Sequence, residues 1–215
     1  MVGTRANSRS ASRERVLECA ERLFMERGFQ AVKLRDIADE LGVRTASLYY
    51  YFPGGKLEMF LAVLDAAMDR YRTGLEAAIR QANAGLEAEL DAAAQFFLSQ
   101  PKIDFFRMLE SDLDQISPEK RGAVAMKMHR SLQGPIMDAF RRAFPVQPGD
   151  ARAQSEFPRD TPMPELFAGS FLAIVQGIHH LRSDFDIPVT KARMASQMSR
   201  ILAAGLRATI GKRPD

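Results

Sequence analysis

From about residue 13 to residue 210 apolar side chains recur at three- and four-residue intervals, and no apolar/polar alternation runs long enough to build a strand. Each such period puts one greasy stripe along a helix, so the chain is expected to be all-α. No internal repeat is present, which argues against a solenoid. With 215 residues, 46% of them hydrophobic and 27% charged, there is enough apolar material for a sizeable buried core. The single cysteine excludes a disulfide framework and any multi-cysteine zinc or iron–sulfur centre, and fits a reducing cytosol. Arg5, Arg9, Arg13 and Arg15 are not followed by the apolar core of a signal peptide, and no window approaches the roughly 18 uninterrupted apolar residues of a membrane span. A soluble, cytoplasmic protein with no membrane partner is expected. Its net charge of +3 is too small to draw the whole surface to a polyanion, so any such site must come from local placement of charge.

Residues 1–12 are small, polar and basic, and read as a mobile arm. A first amphipathic helix follows from Arg13, with Val16, Leu17, Ala20, Leu23 and Phe24 on one side and Gly28 at its end. Leu34, Ile37, Ala38 and Leu41 give a second, two-turn helix before Gly42, and residues 45–52 a third, stopped by Pro53-Gly54-Gly55. A long proline-free helix is expected over 56–82, then helices over 86–99, 103–115 and 117–144. The last of these opens with Ser117-Pro118-Glu119, an N-cap followed by proline and an acid, and should kink at Gly134-Pro135. A proline-rich loop over 145–163 leads to two final helices, 164–183 and 190–210.

Helices 34–41 and 45–52, joined by a glycine-containing turn, have the form of a helix-turn-helix, which lays its second helix in the DNA major groove. Between Glu40 and Glu58 there is no acidic residue, while Arg44, Lys56 and the hydroxyls of Thr45, Ser47, Tyr49, Tyr50 and Tyr51 are all present. A phosphate-facing surface excludes carboxylates because each would repel the backbone charge that supplies most of the affinity. Taken alone, the same stretch also fits a short aromatic core helix whose lack of acids is chance.

The residues carry a resemblance that bears on this choice. "AERLFMERGF" over 20–29, "RDIADELGV" over 35–43 and "SLYYYFPGGK" over 47–56, in that order, closely resemble the TetR family of bacterial transcriptional regulators. The resemblance implies a three-helix DNA-binding domain over 13–56, followed by a larger helical effector-binding and dimerisation domain over 57–215. It further implies a homodimeric repressor, bound to a palindromic double-stranded operator and released by a small-molecule effector, apolar or amphipathic. By the same resemblance Lys33, Tyr49 and Lys56 fall to phosphates, Arg44, Thr45, Ser47 and Tyr50 to base edges or nearby backbone, and Arg35 to either. Three positions depart from the usual pattern. Lys33 stands where a threonine is common and cannot cap the second helix, Arg44 replaces a serine and leaves Thr45 as a possible cap, and Tyr51 replaces a histidine. Leu48, Val43 and Phe52 are read as packing residues, and Cys19 as a small core residue.

Beyond the head, the resemblance implies an effector pocket, to which Phe97, Phe106, Met126, His129, Met137 and Phe171 are assigned because methionine and phenylalanine suit adaptable apolar sites. Apolar rows on the last two helices, with Phe171, Ile174, Ile178, Met198, Ile201 and Leu202, are assigned to a dimer seam resembling a four-helix bundle. No cofactor or metal is expected. The adjacent His179 and His180 point to different helix faces and His129 lacks a partner, so no metal-binding pair of histidines arises. Neither a phosphate-binding glycine loop nor a nucleophile motif is present, so an enzyme is the weakest reading. A helical interaction module without sequence-specific DNA binding is the main rival.

Overall fold

The computed structural model describes residues 3–82, 84–100, 116–145, 164–181 and 189–210, and among these no strand occurs. The helices are α1 Gly3–Arg27, α2 Leu34–Leu41, α3 Thr45–Tyr51, α4 Gly55–Ala82, α5 Leu86–Ser99, α6 Pro118–Met128, α7 Gly134–Ala143, α8 Pro164–His180 and α9 Lys191–Ile210. The all-helical expectation holds. The helix expected at 103–115, with Phe106, lies outside the described residues, as do 146–163 of the expected loop and 182–183 of the helix before the last turn.

One expectation is corrected at the start of the chain. Residues 3–12, read as an arm preceding the first helix, are continuous with it, because α1 begins at Gly3. Nothing from Thr4 to Ser12 is a glycine or proline, and arginine and alanine favour helix. The sequence carries no apolar period before Val16 that would mark this stretch as helical.

The chain divides into two compact units, the first made of Met1–Asp69 with Ile103–Ala125 and the second of Arg70–Lys102 with Met126–Asp215, so that α4 and α6 each span a division. In the first unit α1, α2, α3 and the first part of α4 enclose Val16, Ala20, Leu23, Phe24, Ile37, Leu48, Phe52, Met59 and Phe60, all buried. An aromatic cluster ties these elements together: Phe29 and Phe60 have ring centroids 4.4 Å apart, and Phe24 meets Phe60 edge-on at 5.3 Å. Cys19 is buried in this core, and desolvation there pushes its thiol pKa up, partly opposed by the nearby Arg22.

The second unit contains the end of α4 from Arg70, then α5, α7, α8 and α9. Tyr71, Leu75, Ile79, Leu90, Phe97, Ile136, Phe140, Phe171 and Val175 fill its interior. Helices α5 and α9 are held in register by a polar set in which Ser196 Oγ donates to Asp91 Oδ1 at 2.7 Å and Gln95 Nε2 donates to the Ala192 carbonyl at 3.0 Å. Ser117 caps α6 as its sequence suggests, accepting from the Lys120 amide at 3.4 Å. Helices α6 and α7 are joined by a π-helical turn, His129–Gln133, immediately before Gly134-Pro135. Proline has no amide to continue the α ladder, and the chain accommodates its ring by widening the preceding turn, with the Gly134 amide bonded to the His129 carbonyl. The expected break therefore takes the form of a π turn.

Candidate nucleic-acid interface

The geometry of the helix-turn-helix begins at Gly42. Its φ of 66° lies in the left-handed region, where a side chain is disfavoured. With the Val43 amide bonded to the Ala38 carbonyl at 2.9 Å and the Gly42 amide to Asp39 at 3.2 Å, α2 closes in a Schellman motif. Three residues, Gly42-Val43-Arg44, then lead into α3. Arg44 takes the extended N-cap conformation, so Thr45 is the first helical residue and not the cap that the sequence suggested. At the start of α2, the Lys33 side chain makes no cap, as expected; instead the Asp36 carboxylate accepts the Lys33 amide at 2.7 Å.

Within α3 only Leu48 is buried, at 1% exposure, and the following Phe52 is fully buried. These two side chains seat the helix, and Arg13 of α1 lies over the Phe52 ring at 4.9 Å from its centroid. Ala46, Ser47, Tyr49 and Tyr50 are exposed, and Thr45 and Tyr51 half-buried. A core helix would bury its aromatics; here Tyr50 remains 60% exposed. Val43, read as a packing residue, is 42% exposed, because the left-handed turn carries it outward past the end of α2.

Most of the residues assigned to DNA are exposed to solvent. Lys33, Arg35, Arg44, Ser47, Tyr49 and Tyr50 are exposed, and Arg35 forms only a long, exposed pair with Asp39 at 3.5 Å. Lys56 differs. Its ammonium turns inward and donates to the backbone carbonyls of Phe29 and Val32, at 2.9 Å each. The two acids that bracket the acid-free stretch are both engaged: Glu40 pairs with Arg22 at 2.7 Å, and Glu58 accepts the Gly54 amide at 2.6 Å. Arg22 is held further above its usual pKa chiefly by that Glu40 carboxylate. The surface around α3 thus offers guanidinium and hydroxyl donors with its neighbouring carboxylates occupied, a chemistry suited to phosphate oxygens and base edges.

In the second unit the residues assigned to a pocket separate. Phe97, Met137 and Phe171 are buried, but Met126 is 54% exposed and His129 is exposed as well. Neither of the latter is enclosed, which corrects their assignment: helix α6 and the π turn present them outward. An open cleft of about 380 Å³ does occur between α4, α5 and α7, lined by Glu76, Ile79, Arg80, Glu89, Pro135, Asp138 and Arg142, a charged set that includes none of the six. Arg142 pairs across it with Glu89 at 2.9 Å.

The dimer assignment also divides. Phe171 is fully buried and Ile178 is 7% exposed, so both belong to the protomer's own core. Ile174 and Ile201 are exposed, and Met198 and Leu202 half-buried. The outward row of α8 runs through Leu166, Ser170, Ala173, Ile174 and Gly177, and that of α9 through Gln197, Ile201, Ala204, Gly205 and Ala208. Neither row includes a charged residue, although the exposed Arg193, Arg200 and Arg207 flank that of α9. Among the described residues no group of three or more His, Cys, Asp or Glu is placed to hold a metal ion, and no helix is long and apolar enough to cross a membrane.

Comparison with known proteins agrees with this geometry at the head. Residues 16–63 match the model of the bacterial regulatory proteins of the tetR family. Over 52 residues the chain is 46% identical to the HTH-type transcriptional regulator YxaF of Bacillus subtilis, a segment covering 24% of this chain and 27% of that protein. Over 89 residues it is 34% identical to the HTH-type transcriptional activator FasR of Mycolicibacterium smegmatis, covering 41% of this chain and 40% of the relative. The matched segment thus spans less than half of these relatives' length. In fold the likeness is longer: the crystal structure of AibR in complex with isovaleryl coenzyme A and operator DNA superposes with a TM-score of 0.62 at 20% identity, covering 88% of this chain and 96% of that one.

Proposed function

We propose that this chain, whose residues 16–63 match the model of the bacterial regulatory proteins of the tetR family, is a cytoplasmic, homodimeric transcriptional repressor acting on a palindromic operator. The observation that carries this reading is the outward face of α3, where Ser47, Tyr49 and Tyr50 stand exposed beside Arg44 with no free-standing acid among them. In this reading Lys33 and Tyr49 hold phosphates, Arg44, Thr45, Ser47 and Tyr50 read base edges or the adjoining backbone, and Arg35 reinforces either contact. The dimer is supported by the uncharged outward rows of α8 and α9, whose Ala173, Gly177, Ala204 and Gly205 let helices approach closely while Leu166, Ile174 and Ile201 supply apolar contact.

Control by a small effector is part of the same proposal. AibR was crystallised with both an acyl thioester and operator DNA, and a small apolar or amphipathic molecule is the effector class we infer here. An effector weakens operator binding only by as much as it prefers the DNA-incompetent form, typically about 1–3 kcal/mol, and operator DNA must weaken effector binding by the same factor. No catalytic role is assigned.

Direct base reading has a testable signature. Arg44→Ala and Ser47→Ala should each relax preference at particular operator positions, by roughly 1–3 kcal/mol of discrimination, while changing binding to unrelated DNA far less. Affinity profiles over single-base operator variants check this. Uniform weakening at every position would remove these two residues from base recognition.

A further inference from the structure

Lys56 matches a phosphate-binding position by resemblance, but its surroundings in the head point elsewhere. It stands on the first turn of α4, and its Nζ lies 2.9 Å from the Phe29 carbonyl and 2.9 Å from the Val32 carbonyl, hydrogen bonds reaching back 27 and 24 residues. The same ammonium sits 4.2 Å from the centroid of the Phe29 ring, which is itself packed on Phe60 of α4. Phe29 and Val32 are buried, at 3% and 0% exposure. Charge-assisted bonds to carbonyls in so enclosed a place are strong, and they satisfy acceptors that the α1–α2 connection leaves without helical partners.

We infer that Lys56 is a positioning residue, an internal clamp that fixes the recognition helix by fastening the α1–α2 connection to the start of α4. The recognition helix lies in sequence between the two elements so joined, and it enters through α2 and leaves into α4. Gly55 supplies the link to the DNA-facing surface. It is buried with a φ of 68°, and a β-carbon built on it would sit 3.5 Å from Tyr49 Cε1 and 3.7 Å from Leu34 Cδ1. The backbone that carries the clamp therefore runs beside the ring of Tyr49 and the first residue of α2, with room for no more than a single added carbon at van der Waals contact. Releasing the ammonium lets that backbone shift, and Tyr49 with it. This inference deepens the DNA-binding reading and rests on it for its functional consequence.

The test uses the full-length dimer with Lys56→Met, which keeps an apolar stem but no donor, and Lys56→Gln, which keeps a shorter N–H donor and guards against a Met variant that fails to fold. Operator and unrelated DNA are titrated across a salt series, and amide exchange is followed in the free protein. A clamp requires an operator affinity reduced by about tenfold or more in Lys56→Met, with less effect on unrelated DNA, so that the ratio of specific to non-specific binding falls. Log affinity against log salt should keep its slope, and Lys56→Gln should show the same slope with a smaller loss. Amides of residues 28–34 should exchange faster in both variants. If Lys56 instead neutralised a phosphate, both affinities would fall together and the slope would flatten by about 0.9 for that one phosphate; that outcome, or an unchanged specificity ratio, overturns the inference. If the unaltered protein bound no operator while exchange still accelerated in the variants, the regulatory reading would fall and the clamp's structural role would stand.

Discussion

Replacing Ile201 by Glu is expected to abolish dimerisation and operator binding together while leaving the protomer folded. The side chain is 62% exposed in the protomer, so the substitution places no charge in the protomer core. In a seam formed by α8 and α9 with their two-fold copies, the carboxylate would face Ile174, Leu166 and the small residues of the same rows, none of which offers a countercharge. Burying an unpaired carboxylate costs several kcal/mol, which corresponds to a hundredfold or greater loss of dimer affinity. Because two heads must act at once on a palindrome, operator affinity falls with the dimer. Light scattering with circular dichroism and an operator titration measure all three quantities. A folded variant that remained dimeric would move the interface elsewhere.

The second large effect is expected in the head. Phe52→Ala should destabilise it by about 3–5 kcal/mol, because Phe52 is fully buried beneath α3 and its ring also carries the Arg13 guanidinium. Operator binding should be lost with it, even at temperatures where the C-terminal helices remain formed. Tyr50→Ala is the contrasting case: with 60% of its surface already exposed, Tyr50 contributes little to packing, and its loss should change stability by no more than about 0.5 kcal/mol. Denaturant titration of the two variants separates seating from reading. Similar destabilisation by both would mean that the tyrosine face is part of the core.

The contrast between Phe52 and Tyr50 also marks how much was legible in the sequence. Local chemistry was readable: Gly42 ends α2, Pro53 stops α3, Ser117 caps α6, and the spacing of Ile37, Ala38, Leu48 and Phe52 named buried residues correctly. Lys56 was not readable, because its partners are backbone carbonyls more than twenty residues away, and carbonyls leave no mark in a side-chain pattern. On α8 the sequence grouped Phe171, Ile174 and Ile178 as one row. The actual inward stripe runs through Phe171, Val175 and Ile178, and Ile174, three positions from Phe171 and turned to the edge of that stripe, faces out. A helix apolar on more than one side gives a period without saying which side meets the chain's own core. Met126 and His129 are assigned to the pocket that the resemblance implies on residue type, which carries no direction in space, and both are exposed. The helical character of residues 3–12 is not legible because that stretch has no apolar period to detect.

Sequence-specific recognition by a two-fold pair of α3 helices can be measured by selecting bound sites from random double-stranded DNA with the 215-residue protein. Enrichment of an inverted repeat is expected, with half-sites about 34 Å apart, or a multiple of that distance, as two recognition helices in successive major grooves require. Enrichment of no palindromic element, with binding that tracks DNA length and salt alone, would contradict it.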